Sequence, residues 1–487
     1  MKLAYKGAMN NTEKLVIQAQ AENTNHVSMK VRIGWGLGGL ADNYIMSTLI
    51  ALALPVYNIA LGMDPVKLGI ALSIPRFLDA IADPLMGNIS DNTRSRWGRR
   101  RPYIVAGAVL SAILLPLLWM PPVRTDSGMF WYILGIAMVY LVMYTVYVVP
   151  YTALGYELTN DYHERTRVLA WRMYIGLIGS LTVPWLYWLC LRPTFNGDVA
   201  KGAMWVSIGI AIIIIIAGIS PAMVCRDDRA TKNQEKIKIV KAILYTLKNK
   251  PFMILCAGYI IIILGLFASS TLGLYINIYY VYRGDKIAAA AMNGMIGTVS
   301  ALTSYLSLPL ITKFSVKWGK RNGMIAGMAL GTIGIASLWF TMTPEMPYLQ
   351  LVSTFIWGLG MQGCWLMISS MVADICDEDE LETGLRREGV YGAVNGLALK
   401  GALALTTLVG GVLLVWSGYD ATSAESAGIV NSNVLFKMRA LFVIGQIAAL
   451  LIGIIVFMFY PITKQKAEST RKILDQRLSE KVRSTIL

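Results

Sequence analysis

A chain of 487 residues that is 55% hydrophobic and only 15% charged departs from soluble proteins, in which about 25% of residues are charged. The formal net charge of +15 would suit a nucleic-acid surface if it were gathered on one face, but the Lys and Arg residues are dispersed between apolar runs. Composition thus excludes a soluble globular protein, and the distribution of charge excludes a nucleic-acid partner.

Residues 1–32 mix Lys, Glu, Asn and Gln without an apolar core, so they read as a solvated tail and not as a secretory signal. Twelve apolar runs follow, near 33–60, 68–90, 103–120, 129–156, 168–191, 203–224, 252–282, 288–312, 323–342, 347–373, 390–416 and 438–461. Each is long enough, at about 1.5 Å per residue, to cross a hydrocarbon core of about 30 Å. The expected fold class is an all-α membrane protein of twelve transmembrane helices. Of the 44 Lys and Arg residues, 33 fall in the even-numbered loops and the two tails, 8 in the odd-numbered loops with the start of the last span, and 3 within spans. This positive-inside pattern predicts cytoplasmic termini and attraction to anionic membrane lipid.

Between the sixth and seventh runs lies the longest polar connection, 225–251. Its Ile239, Val240, Ile243, Leu244 and Leu247 recur at helical spacing, which predicts a basic amphipathic helix on the membrane surface. The expected organisation is a tail (1–32), a six-helix half (33–224), this linker (225–251), a second six-helix half (252–461) and a tail (462–487). In the last segment Leu474, Leu478, Val482 and Ile486 form a similar stripe. RWGRRRPYIVAG (96–107) enters the third span and KWGKRNGMIAG (317–327) the ninth, a faint repeat at the same place in each half. Two parallel six-span halves predict the major facilitator arrangement, which binds its substrate between the halves near the bilayer midplane.

Catalytic and metal motifs are sparse. The five cysteines (Cys190, Cys225, Cys256, Cys364, Cys376) form no CxxC pair, and His26 and His163 are too few and too isolated for a zinc site. No GxxxxGK[ST] loop occurs, so neither an enzyme nor an ATP-driven pump is expected, and no cofactor.

The chemistry concentrates instead in RFLDAIADPLMG (76–87). Arg76, Asp79 and Asp83 share one helix face, and that face must look into the bundle, because a charge centred in lipid costs roughly 2.5–3.5 kcal/mol. Arg76 is expected to offset one carboxylate, leaving one negative charge for a monovalent cation or a proton. Pro84 cannot donate to the carbonyl of Ala80, which frees another hard oxygen. Asp42, Arg172 and Lys400 lie at similar depth, so a central cavity is expected to gather them. Trp365 is a candidate aromatic platform for a sugar ring. Near the ends of the fourth and tenth spans, ELTNDYHERTR (157–167) and DICDEDELETGLRRE (374–388) alternate acids with arginines. They predict a gate in which Arg165 or Arg167 pairs with Asp374 or Asp377 across the halves when the carrier faces outward.

DPLMGNISDNTRSRWGRRRP (83–102), the upstream RFLDAIAD and MVADICD (371–377) closely resemble the glycoside–pentoside–hexuronide:cation symporters, and the resemblance runs from GWGLGGLADNY (34–44) to GLALKGA (396–402). It implies cation-coupled (H⁺ or Na⁺) symport of a sugar or glycoside by a monomer of the bacterial inner membrane. It also implies cation ligands at Asp79, Asp83 and Thr145, and sugar contacts at Asp42, Arg172, Trp365 and Lys400. Two departures bear on this. Val148 and Thr152 stand where the family's galactoside carriers have an aspartate and an aromatic residue, so galactoside recognition is not implied and an acidic or sulfated sugar comes into view. Ala82 stands where sodium-using members have an asparagine, which points to proton coupling. Alternative readings are a carrier of a lipid or organic anion on the same fold, and a transporter-like sensor.

Overall fold

A computed structural model describes residues 27–159, 161–225, 245–385, 387–420 and 430–486. Among these residues a helix occupies each of the twelve apolar runs. They are α1 (Met29–Ala53), α2 (Pro65–Asn92), α3 (Arg101–Leu117), α4 (Asp126–Glu157), α5 (Tyr162–Thr182) and α6 (Val199–Val224) in the first half. In the second half they are α7 (Lys250–Ile276), α8 (Lys286–Trp318), α9 (Lys320–Thr341), α10 (Gln350–Thr383), α11 (Glu388–Trp416) and α12 (Ser432–Met458), followed by α13 (Lys464–Ile486). Ten of the twelve are long and apolar enough to cross a membrane. The other two are α3, of 17 residues, and α2, of 28 residues, which carries the charged cluster. Most of the expected linker helix, and most of the N-terminal tail, lie outside the described residues.

Polar caps set many of the helix starts. Ser28, Asp64, Thr125, Asp161, Asp198, Asn249 and Asp285 each accept a backbone N–H of the following turn, satisfying donors that a helix N-terminus leaves unpaired. Two departures from α geometry match across the halves. α1 ends in a π-helical turn, Leu54–Ala60, and α7 in another, Asn277–Val281. Packing repeats as well. In the first half α1 packs on α5 and α6, α2 on α4, and α3 on α4 and α6; in the second, α7 packs on α11 and α12, α8 on α10, and α9 on α10 and α12. A parallel internal repeat of this kind builds a carrier from two similar bundles.

The two ends of the bundle differ. The near end carries Val27, the start of α7 and helix α13; the far end is opposite. At the far end the halves touch directly: α2 lies on α11, and α8 on Val183–Trp185 at the end of α5. Glycine makes the approach possible. A Cβ added to Gly69 would lie 2.8 Å from the Leu408 Cα, and one on Gly411 only 2.4 Å from the Pro65 carbonyl oxygen. Across this seam Tyr275 donates to Asn58 at 2.6 Å, Ser73 to the Ala404 carbonyl at 2.6 Å, and Trp185 to Thr298 at 2.9 Å.

Candidate cation and substrate site

Among the described residues, the charged side chains singled out within the spans fall into two clusters, with Arg76 making no ion pair. On α2, Pro75 and Pro84 flank Arg76, Asp79 and Asp83. Asp79 is only 2% exposed. Lys400 of α11 reaches across from the other half and donates to Asp79 Oδ2 at 2.9 Å and Asp83 Oδ2 at 2.5 Å. The remaining oxygen of Asp79 accepts from Thr145 of α4. Asp83 Oδ1 is buried and has no hydrogen-bond partner. Two carboxylates facing one ammonium carry one net negative charge, and an uncommitted oxygen lies among them. That donor set suits a proton or a small monovalent cation, since both are held by hard oxygen.

The second cluster lies between α1, α4 and α5. Asp42 accepts from Arg172 at 2.8 Å and from the Tyr144 hydroxyl at 2.9 Å. The Arg172 guanidinium lies 5.8 Å from the Trp35 ring centroid and 5.3 Å from that of Tyr151, and the two rings stack at 5.3 Å. Room for the stack comes from Gly155, where a Cβ would fall 2.0 Å from the Trp35 ring. Thr152 turns its hydroxyl back onto the Val148 carbonyl at 2.8 Å.

These positions redistribute the residues singled out in the sequence. Asp79, Asp83 and Thr145 come together, as do Asp42 and Arg172. Lys400 joins the first group and takes the place expected of Arg76, which makes no ion pair among the described residues. Trp365 sits apart from both clusters. It meets Phe267 edge-on at 6.3 Å and lines a small apolar cavity with Tyr259, Met324 and Trp357 inside the second half. Tyr144 was not anticipated; its signal was its place beside Thr145 on a helix with one exposed and one inward face.

At the near end Arg165, Arg167 and Asp374 find partners within their own halves, and Asp377 finds one on the C-terminal helix. Arg165 donates to the Thr159 carbonyl at 3.4 Å, and Arg167 pairs with Glu164 at 2.7 Å. Asp374 pairs with Lys320 at 2.6 Å, and Asp377 with Arg471 of α13 at 3.4 Å. Lys466 of α13 also pairs with Glu378. The C-terminal helix is thus docked on the end of α10.

Two similar helical bundles that meet at one end, with buried charges along their seam, define a membrane carrier. Residues 34–464 match the family model described as MFS/sugar transport protein, and the chain belongs to that family. Among curated relatives it is 25% identical to the glucuronide carrier protein homolog of Escherichia coli (strain K12), covering 93% of this chain and 96% of that protein. It is 26% identical to the isoprimeverose transporter of Lactiplantibacillus pentosus, covering 85% and 86%. Its fold matches the partially occluded, inward-open xylose transporter XylE from E. coli with a TM-score of 0.59 at 15% identity, over 89% of this chain and 99% of that one.

Proposed function

We propose that this chain is a cation-coupled symporter of a sugar or glycoside, working as a monomer in the bacterial inner membrane with both termini in the cytoplasm. The observation that carries the reading is the contact of Lys400 with Asp79 and Asp83. Its ammonium and an incoming cation compete for the same carboxylate oxygens. Lys400 belongs to one half and the aspartates to the other, so binding an ion alters a contact between the halves. Coupling requires such a linkage, because a ligand moves a conformational equilibrium only through its different affinity for the two states.

Asp42, Tyr144 and Arg172 offer the mixture of acceptors and donors that binds sugar hydroxyls, and the fully buried Trp35 and Tyr151 pack against the guanidinium from behind. The names of the relatives, a glucuronide carrier homolog and an isoprimeverose transporter, support a sugar substrate. Ala82 supplies no oxygen to the cation cluster, which favours a proton over sodium. When the near-end gate closes, Arg165 and Arg167 exchange their present partners for Asp374 and Asp377.

The test is uptake into membrane vesicles from a panel of neutral and acidic sugars, with and without imposed pH and sodium gradients. Accumulation of a sugar driven by the pH gradient, with alkalinisation of the medium when substrate is added to de-energised cells, is expected. Strong sodium stimulation without alkalinisation would overturn the proton assignment, and uptake indifferent to both gradients would overturn symport. In the proton case, Ala82→Asn should make uptake more sodium-dependent.

A further inference from the structure

α10 is 34 residues long, about 50 Å at 1.5 Å per residue, whereas a hydrocarbon core is about 30 Å thick. Its last turns therefore stand clear of the membrane at the near end. There 374–383 carry six acids: Asp374, Asp377, Glu378, Asp379, Glu380 and Glu382. Two of them are held by neighbouring segments of the second half: Asp374 pairs with Lys320, and Asp379 accepts from the Tyr245 hydroxyl at 2.6 Å. Two more are held by α13. Lys466 pairs with Glu378, and Arg471, braced by Asp475 of its own helix at 3.4 Å, pairs with Asp377 at 3.4 Å.

The docking of α13 rests on more than these ion pairs. Lys464 donates to the carbonyls of Val316 and Lys317 at 2.8 and 3.2 Å, and Arg477 to that of Leu381 at 3.1 Å. Those carbonyls belong to the last turns of α8 and α10, where a helix leaves acceptors unpaired and its dipole favours a cation. Gly319, at φ 86°, turns the chain from α8 into α9 and makes room for the contact, since a Cβ there would lie 2.8 Å from that of Lys464. Thr470, one turn after Lys466, is buried. One face of α13 thus closes the ends of two helices at once.

The proposed near-end gate needs one of the same acids. Arg165 and Arg167 of α5 close it by taking Asp374 and Asp377 across the halves. A carboxylate bound to Arg471 is withheld from an arginine of α5, so docking of α13 and closure of the gate compete for Asp377. Only residues 459–463 separate α12 from α13, and so short a tether keeps the competitor at high effective concentration. A ligand of this kind shifts the equilibrium toward the state in which it stays bound. We propose that α13 is an intramolecular latch: docked on the end of α10, it withholds Asp377 and holds the carrier open at the near end, and its release lets the gate close. This rests on the gate included in the symporter reading and adds the element that regulates it.

A single cysteine replacing Thr271, in the wall of a cavity of about 230 Å³ between the halves, reports opening at the far end. Its rate of reaction with an impermeant maleimide added from the far side is read in vesicles carrying the full chain, with the native cysteines replaced. Lys466→Gln with Arg471→Gln should raise that rate roughly 2- to 30-fold, the range that two exposed ion pairs supply. Lys464→Gln with Arg477→Gln, which removes the carbonyl contacts and leaves the acids alone, should raise it too, so the test stands if one of the two variants fails to fold. In an Asp377→Asn background the first pair of substitutions should leave the rate unchanged, since neither latch nor gate then has that acid. Arg165→Gln with Arg167→Gln should lower it. An unchanged or lower rate on release of α13, or an equal rise in the Asp377→Asn background, would overturn the latch. If release has no effect while the α5 substitutions still lower the rate, the gate stands without the latch. If the α5 substitutions leave the rate unchanged, the gate falls and the latch with it.

Discussion

Tyr144 and Thr145 are consecutive on α4, yet their hydroxyls serve different clusters: Tyr144 donates to Asp42 at 2.9 Å and Thr145 to Asp79. One turn of one helix therefore touches both the candidate substrate cluster and the candidate cation cluster. A shift of α4 that improves one contact changes the other.

Substituting these neighbours should separate the two bindings. Thr145→Val removes a buried hydrogen bond to a charged group, worth about 1.5–3 kcal/mol. It should raise the ion concentration for half-maximal uptake by about tenfold or more. Tyr144→Phe should instead raise the substrate concentration for half-maximal uptake. Initial rates measured across ion and substrate titrations distinguish the two; identical effects of both variants would argue against separate roles.

Asp83→Asn should abolish accumulation against a gradient, while exchange of labelled for unlabelled substrate survives better. The substitution removes the charge that the ion neutralises, and with it the free-energy link between ion and substrate. Counterflow and concentrative uptake in the same vesicles provide the check, and undiminished accumulation would remove Asp83 from the coupling site.

Gly69→Val should disfavour the conformation described here. The Cβ of a larger residue meets the backbone of α11 at 2.8 Å, and overpacking of this kind costs about 1–3 kcal/mol. Opening at the far end relieves it. A single cysteine replacing Thr271, which lines the inter-half cavity, should then react faster with an impermeant maleimide added from the far side. An unchanged rate would mean that the seam tolerates the added bulk.

Cysteines placed singly at Asn196 and Gln476, in a background with the five buried native cysteines replaced, should label from opposite faces of the membrane. Labelling from the same face would overturn the proposed topology.

Most of the helical framework was legible because it depends on local sequence. Apolar runs, Asp and Ser caps, and the i, i+4 placement of Asp79 and Asp83 belong to single helices. Lys400 shows where that legibility stopped. Its spacing on α11 places it inside the bundle, but its choice of Asp79 and Asp83 over the neighbourhood of Asp42 depends on how α11 docks against α2. That docking is set by small residues such as Gly69 and Gly411, whose sequence signal is faint. Arg76 lost its expected role for the same reason, since a cation from the other half reached the aspartates first. The arginines and acids of the near end have several partners of equal chemistry within reach, so sequence alone could not choose among them.

The cross-half contacts described at the far end, Asn58 with Tyr275, Ser73 with Ala404 and Trp185 with Thr298, are hydrogen bonds between neutral groups. The near end carries ion pairs held within each half or between α10 and the C-terminal helix. Dissolved salt screens charge and leaves neutral contacts almost untouched. Screening by salt therefore bears less on these three cross-half hydrogen bonds than on exposed ion pairs.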